Sequence, residues 1–232
     1  MNQTKTFQQN FDDTLSLFNL YVKKELEAWQ KVNVLSFEGN RTGEKSFLSI
    51  LDQRVGCDLG LWDGEDLFFV ANRVLSVDTS TGDRFPLSIT LRDSVQGSYD
   101  LAEINKLKRL CDLNSKQLHH PMPNQMVFSR VITDGPQPYL LDMVIIQTAL
   151  LMEFLFDMRG FNLIALRERF RQQGRDHIDF CRRKPFWGGI RLNKSDGNTF
   201  VAISTSVLKE YNVPFQYKKF SSPIVVDDCW WD

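Results

Sequence analysis

The chain is predicted to adopt an α+β fold: an antiparallel sheet or meander packed on an N-terminal amphipathic helix and a long central helix, with a C-terminal hairpin. Three observations predict it. Apolar side chains recur at helical spacing near the N-terminus, short β-like runs separated by turn residues follow, and a long apolar run then begins at residue 139. No internal repeat or low-complexity linker interrupts this order. We therefore expect one domain over residues 1–232, with a loose subdivision near 120–138.

The N-terminal helix is predicted over about residues 5–31. Its apolar side chains recur at intervals of three and four, which places them on one stripe of an α-helix. The stripe consists of Phe7, Phe11, Leu15, Phe18, Val22, Leu26 and Trp29. Such a stripe must be covered, and we expect it to pack on the chain's own core; docking on a partner helix is the alternative.

Residues 32–92 are predicted to form short strands. The runs "VNVLSF", "LGLW", "LFFVANRVLSV" and "FPLSITL" are separated by the turn signals "DGED" and "TSTGD". Helical spacing returns in "YDLAEINKLKRLCDL" (99–113). A strand, "QMVFSRVI" (125–132), follows, and "DGPQP" (134–138) ends it. This order predicts a meander or curved sheet.

Residues 139–173 are predicted to form one long helix, or two helices joined near Gly160. The first half, "YLLDMVIIQTALLMEFLFDM", has the length of a membrane span but carries Asp142, Glu153 and Asp157. Because charges inside a span are costly, we interpret it as a buried core helix and expect no membrane partner. The second half, "FNLIALRERFRQQ", is amphipathic and basic.

The C-terminal part is predicted to contain a hairpin and a last strand. "FWGGIRLNKSDGNTFVAIS" turns around "SDGN", and "FSSPIVVDDCWWD" ends in aromatic and acidic residues. Trp230 and Trp231 lie where a chain ordinarily frays, and tryptophan is favoured at the centres of interfaces. We expect this tail to dock on its own domain or on another subunit, which makes Trp230 and Trp231 candidate partner-binding residues.

Composition is that of a globular protein, with 42% hydrophobic and 25% charged residues among 232. The four cysteines are far apart and form no Cys-x-x-Cys pair, which argues against a structural zinc site or a dense disulfide framework. No basic stretch followed by an apolar run opens the sequence. We therefore expect a cytoplasmic protein in a reducing compartment, without a cofactor.

Charge is unevenly distributed along the chain. Residues 158–194 contain ten Lys or Arg against three Asp or Glu, a net +7, and leave −8 for the rest of a chain whose total is −1. Aromatic residues are interleaved with these cations, as in proteins that bind single-stranded nucleic acid by stacking its bases on aromatic rings. Arginine also favours bidentate phosphate contacts. The candidate nucleic-acid-binding residues are Arg171, Arg175, Arg182, Arg183, Lys184, Trp187, Arg191 and Lys194. The alternative is that these arginines pair with acidic groups of the chain or of a neighbouring subunit.

A phosphate-binding loop is the first enzymatic alternative. "GNRTGEKS" (39–46) has the spacing of G-x-x-x-x-G-K-S, but Glu44 stands where the second glycine should be. A carboxylate there would face the phosphates, so we favour a surface turn.

A metal-dependent nuclease is the second enzymatic alternative. The hairpin "CDLGLWDGEDLFFVANRV" resembles the core of the restriction-endonuclease fold, in which an Asp is followed about a dozen residues later by Glu-x-Lys. Asp58 has the right place, but Ala71 and Arg73 occupy the other positions. The resemblance implies a degenerate member used for binding, or a nuclease with a displaced site around Asp58 and Asp78. The alternative, which we favour, is a plain β-hairpin without such a role.

Metal binding has little support. His177 and Cys181 are four residues apart and could share a helical face, but two ligands do not make a site. The sequence therefore predicts a non-enzymatic subunit of an intracellular complex that binds nucleic acid, in defence or DNA processing. The alternatives are the nuclease and a pure protein-interaction subunit anchored by its C-terminal tail.

Overall fold

The computed structural model describes residues 13–37, 57–92, 123–156, 162–174, 177–181, 188–192 and 199–220. Residues 13–17 are helical and continue through a π-helical turn, Phe18–Val22, into the first helix. The helices are α1 (Lys23–Gln30), α2 (Thr79–Arg84), α3 (Thr148–Phe156), α4 (Leu163–Gln173) and α5 (Thr205–Glu210). The strands are β1 (Asn33–Ser36), β2 (Leu59–Trp62), β3 (Leu67–Val77), β4 (Ser88–Arg92), β5 (Gln125–Ile132), β6 (Tyr139–Gln147), β7 (His177–Cys181), β8 (Gly188–Leu192), β9 (Thr199–Ser204) and β10 (Gln216–Lys219).

Six strands form the larger sheet, in the order β1-β2-β3-β5-β6-β10. All its pairs are antiparallel except β3 and β5, which run parallel. A parallel pair needs a long crossover, and the chain uses residues 78–124 for it. The inner strand β6 is buried on both faces from Leu140 to Ile146, as expected for a strand with layers on either side.

The other four strands form a second sheet, in the order β4-β9-β8-β7. Its inner side chains, among them Ile89, Ile190 and Val201, share one apolar core with Phe128 and Val144 of the larger sheet. Helices α3, α4 and α5 contribute to the same core through these side chains: Leu151, Met152, Phe154, Leu155, Leu163, Leu166, Phe170, Val207 and Leu208. We call this shared core the inter-sheet core.

The opposite face of the larger sheet is covered by the N-terminal helix. Phe18, Val22 and Leu26 are fully buried against sheet residues such as Val127 and Ile145. These three side chains belong to the stripe that the sequence predicts. The helix therefore lies on the far side of the larger sheet from the inter-sheet core.

The α+β class is confirmed, as are several elements. The strands β2 and β3 with the turn between them, the strand 125–132 and the antiparallel hairpin of β8 and β9 are present as predicted. The helix is confirmed from residue 13 to residue 30. The predictions for residues 39–46, 99–113 and the C-terminal tail fall outside the described residues.

The predicted long central helix is wrong over residues 139–147, which form strand β6. Thr148–Phe156 and Leu163–Gln173 are helical as predicted. A run that is apolar on all sides carries no periodicity, so a strand buried on both faces and a buried helix look alike. Within the described residues, no helix has the length and apolarity needed to cross a membrane.

Two shorter predictions are also corrected. "TSTGD" belongs to helix α2 rather than to a turn, because Asp78 caps it by accepting a hydrogen bond from the Thr81 N–H. His177 and Cys181 lie on strand β7 and not on a helix, so they cannot share a helical face.

Candidate nucleic-acid interface

Residues 158–194, which carry the net charge of +7, are called the basic segment. Helix α4 is its first described element. It begins after Asn162, whose side chain accepts a hydrogen bond from the Ala165 N–H at 3.2 Å, and ends at Gly174 with φ of +57°. A positive φ at this position is the common way to end a helix. Leu163, Leu166 and Phe170 are buried in the inter-sheet core, which turns the polar face outward.

The outward face of α4 carries arginines. Arg169 and Arg171 are exposed, while Arg167 is half-buried. Glu168 is exposed on the same helix, so its charged side chains sum to +2. Helix α4 also packs against β7 and β8, which are the last two strands of the second sheet. The described elements of the segment therefore pack together, and we call them the α4–β7–β8 unit.

Only two of the predicted nucleic-acid-binding residues are described. Arg171 is exposed near the C-terminus of α4, and Arg191 is half-buried on β8, opposite His177 of β7. The other six lie outside the described residues, as do Trp230 and Trp231: Arg175, Arg182, Arg183, Lys184, Trp187 and Lys194.

Strand connectivity divides the predicted residues into two groups. Strands β7 and β8 are antiparallel, with Cys181 opposite Gly188. Residues 182–187 join the strands at that end, whereas 175–176 and 193–198 adjoin the other. The two ends are about 13 Å apart at about 3.3 Å per residue. Of the predicted residues that the structure describes, Arg191 lies at the second end, opposite His177.

The two carboxylates of the nuclease alternative lie apart. Asp58 Oδ2 accepts a hydrogen bond from the Asn72 N–H at 2.6 Å, so Asp58 lies beside Asn72 of β3. Asp78 is six residues after Asn72, directly after the end of β3. At about 3.3 Å per residue this places them roughly 20 Å apart, so one metal ion cannot bind both. Among the described residues, no group of three or more His, Cys, Asp or Glu could hold a metal ion.

Asp78 and Asp134 meet at the carboxyl ends of the parallel strands β3 and β5. Asp78 Oδ1 accepts hydrogen bonds from Ser80 and Thr81, and Asp134 accepts from both the N–H and the hydroxyl of Thr79. Hydrogen bonds from Thr81 lower the pKa of Asp78 and those from Thr79 lower the pKa of Asp134. Both carboxylates therefore cap the start of α2.

A buried charged pair joins β5 and β6. Arg130 is 6% exposed and Asp142 is fully buried. The Arg130 guanidinium donates to both carboxylate oxygens of Asp142, with Nε 2.8 Å from Oδ1, and its Nη1 donates to the Phe85 carbonyl at 2.7 Å. This bidentate geometry is the strongest form of an arginine–carboxylate pair.

Tyr217 of β10 extends this network to the surface. Its hydroxyl donates to Asp142 Oδ2 at 3.0 Å, while the residue remains 40% exposed. Burial of the hydroxyl, and then the negative charge of Asp142, raise the pKa of Tyr217 to about 12. We call these four residues, Arg130, Asp142, Tyr217 and Phe85, the Arg130 network.

Sequence reasoning missed the Arg130 network, although a signal exists. Arg130 and Asp142 are single opposite charges in two apolar strands on either side of the turn "DGPQP". Reading 139–147 as a strand would have paired them across a hairpin.

In comparisons with known proteins, no family model, no curated protein and no solved structure matches this chain.

Proposed function

We propose that this chain is a non-enzymatic subunit of a multiprotein complex and binds nucleic acid through the α4–β7–β8 unit and the stretches that join its elements. One observation carries the proposal: the described part of the segment with a net charge of +7 consists of one helix, α4, and the two adjacent strands β8 and β7 at one edge of the second sheet, which pack together. A charge excess spread over several distant elements would not present a continuous surface to phosphates.

The chemistry of the segment supports phosphate as the ligand. Eight of its ten cations are arginines, and the guanidinium group donates two parallel hydrogen bonds to a phosphate. Each phosphate neutralised also releases counterions, which contributes favourable free energy without any base contact. The proposal therefore specifies affinity for a nucleic-acid backbone and no sequence preference. Defence or DNA-processing assemblies are the settings that we propose for such a subunit.

Charge reversal at one end of the hairpin tests the proposal. We expect Arg182→Glu, Arg183→Glu and Lys184→Glu together to abolish binding of a labelled oligonucleotide at about 150 mM salt, measured by fluorescence anisotropy. At lower salt, residual binding should show a shallower dependence of log affinity on log salt. For each phosphate contact that is lost, the slope of log affinity against log salt should decrease in magnitude by about 0.9 on a duplex and by about 0.7 on a single strand.

The matched control is a triple reversal at Lys23, Lys24 and Lys31. These lysines lie on or directly after α1, on the opposite face of the larger sheet from the inter-sheet core. They change the total charge by the same amount, so a general electrostatic effect would weaken binding equally in both variants. Full affinity in the Arg182, Arg183 and Lys184 variant would overturn the proposed function.

The complex-subunit part of the proposal has a separate support in exposed apolar side chains. Leu35, Trp62 and Leu67 are between 44% and 46% exposed on neighbouring strands β1, β2 and β3. Trp62 and Leu67 are directly opposite one another, and Leu35 is opposite Gly60, so the three share one face. Such apolar surface favours a protein partner. Trp230 and Trp231 remain the proposed anchor of the tail.

A further inference from the structure

Tyr217 has an exposed ring whose position is fixed by buried groups. Its hydroxyl is held by Asp142, which is held by two hydrogen bonds from Arg130, and Arg130 is itself bonded to the Phe85 carbonyl. Yet 40% of the residue is exposed at the edge strand β10. An exposed tyrosine loses rotamer freedom when it binds a ligand, and here the fold has already restricted it.

Two lysines flank this ring. Lys219 is exposed and lies two residues after Tyr217, so the alternation of a strand places both side chains on one face of β10. Lys209 of α5 is exposed, and its Nζ lies 5.8 Å from the centroid of the Tyr217 ring. Lys218 points to the opposite face, where its Nζ lies 4.0 Å from Glu25.

The local charge around the ring is positive. Arg130 and Asp142 cancel one another, and both are buried. Lys209 and Lys219 add two positive charges at the surface, and the exposed carboxylate of Glu210 subtracts one. Glu210 follows Lys209 on a helix, so it is turned by about 100° away from it. Proteins that bind single-stranded nucleic acid use an aromatic ring with cations nearby to hold a base and its phosphates.

We propose that Tyr217, Lys209 and Lys219 form a binding site for single-stranded nucleic acid, with a base stacked on the Tyr217 ring and the adjoining phosphates held by the two lysines. This inference rests on the proposed function and names the form of nucleic acid. In a duplex the bases are already stacked and paired, so a ring at the protein surface meets only the backbone. The site should therefore favour a single strand.

The geometry of Lys209 is compatible with an incoming base. At 5.8 Å its contact with the ring is at the outer limit of a cation–π interaction. Its flexible stem lets the ammonium move to a phosphate when a base takes its place over the ring. Phe85, which follows α2, takes part in the Arg130 network only through its backbone carbonyl, so the site consists of the Tyr217 ring and the two lysines.

Fluorescence anisotropy with labelled oligo(dT) and with a duplex of equal length tests the site. We expect Tyr217→Leu to weaken oligo(dT) binding roughly tenfold and leave duplex binding unchanged, because one stacked base is lost. Tyr217→Phe keeps the ring and should bind oligo(dT) within about twofold of the unmodified chain. Lys209→Glu with Lys219→Glu should weaken oligo(dT) binding at least as much as Tyr217→Leu.

Tyr21→Leu is the matched control, because it makes the same substitution at another tyrosine. Tyr21 is half-buried in the π-helical turn of the N-terminal helix, which covers the opposite face of the larger sheet. This variant should bind oligo(dT) like the unmodified chain. Photocrosslinking with a bromodeoxyuridine oligonucleotide, read by mass spectrometry, should give an adduct on the peptide that contains Tyr217. Thermal melts of Tyr217→Leu and Tyr217→Phe separate a loss of stacking from a loss of fold.

The outcomes separate this site from the proposed function. If charge reversal at Arg182, Arg183 and Lys184 abolishes binding while Tyr217→Leu binds oligo(dT) normally, the proposed function stands and this site is overturned. A crosslink that maps elsewhere also overturns it. If the unmodified chain binds neither oligonucleotide, both proposals fall.

Discussion

Replacing Asp142 by leucine should destabilise the protein severely. Leucine keeps the branching of aspartate at Cγ but is larger and carries no charge. The substitution therefore leaves the guanidinium of Arg130, a residue that is 6% exposed, with only the Phe85 carbonyl as a described partner. Removing one member of a buried ion pair costs about 3–5 kcal/mol, because the other charge remains buried without compensation. Since the free energy of unfolding of a typical domain is about 5–15 kcal/mol, this is a large share of the total.

The double substitution Arg130→Met with Asp142→Leu should restore most of this loss. Replacing a buried ion pair by apolar residues of similar volume is often neutral or stabilising. We therefore expect Arg130→Met alone to cost about as much as Asp142→Leu, and the double variant to lie within about 2 kcal/mol of the unmodified protein. The coupling energy between the two sites is then about 3 kcal/mol or more.

Urea unfolding followed by far-ultraviolet circular dichroism measures all four free energies. The slope of free energy against urea concentration must be the same in the four proteins for the comparison to hold. The reasoning is refuted if Asp142→Leu alone costs less than about 1 kcal/mol, or if the losses of the two single variants simply add in the double variant. Either result would mean that Arg130 reaches water or another anion.

The remaining predictions concern Tyr217 and the C-terminal tail. The pKa of Tyr217 is raised to about 12, above the value near 10 of an unfolded chain. Its contribution is therefore complete below pH 10 and lost as the pH rises from about 10 to about 12. After a discount for its exposed surface this amounts to about 1 kcal/mol or less, and urea unfolding at several pH values should show a smaller alkaline loss in Tyr217→Phe. Deleting residues 229–232 should release any co-purifying protein in a size-exclusion and mass-spectrometry assay while leaving the melting temperature within a few degrees; retention of the partner would contradict the anchor role of Trp230 and Trp231.

Local patterns predicted most of the strands because turn residues bound them. The run 125–132 ends at "DGPQP" and matches β5, and β2 and β3 flank the turn "DGED". The same logic failed at Asp78. "DTST" offers an N-cap followed by residues that tolerate a helix, and the Asp78 carboxylate bonded to the Thr81 N–H decides for α2.

The division of strands between two sheets could not be predicted from such patterns. The pairing of β3 with β5 joins residues more than 50 positions apart, with β4 placed between them in sequence but in the other sheet. Burial on both faces also removes the alternation that would identify β6. The β-branched residues Val144, Ile145 and Ile146 were the remaining signal for a strand.

For the candidate interface, the charge count identified residues 158–194 as a basic segment. The topology showed which structural elements carry its described residues. A sum over residues 158–194 does not reveal that the helix with Arg171 packs against the strand with Arg191. Nor does it include Lys209, Tyr217 and Lys219, which lie outside the segment in sequence. The Tyr217 ring is a candidate contact for a base because its hydroxyl is held by the buried carboxylate of Asp142, which lies 75 residues earlier in the chain.

The two proposed contact surfaces are built on one core. Helix α4 enters the inter-sheet core through Leu163, Leu166 and Phe170, and α5 enters it through Val207 and Leu208. Phe215, directly before β10, packs on the same core, and Tyr217 pairs with Val144 on that face of the larger sheet. The N-terminal helix covers the opposite face. A nucleic acid that contacts both surfaces therefore stays on one side of the larger sheet, away from the lysines of the N-terminal helix.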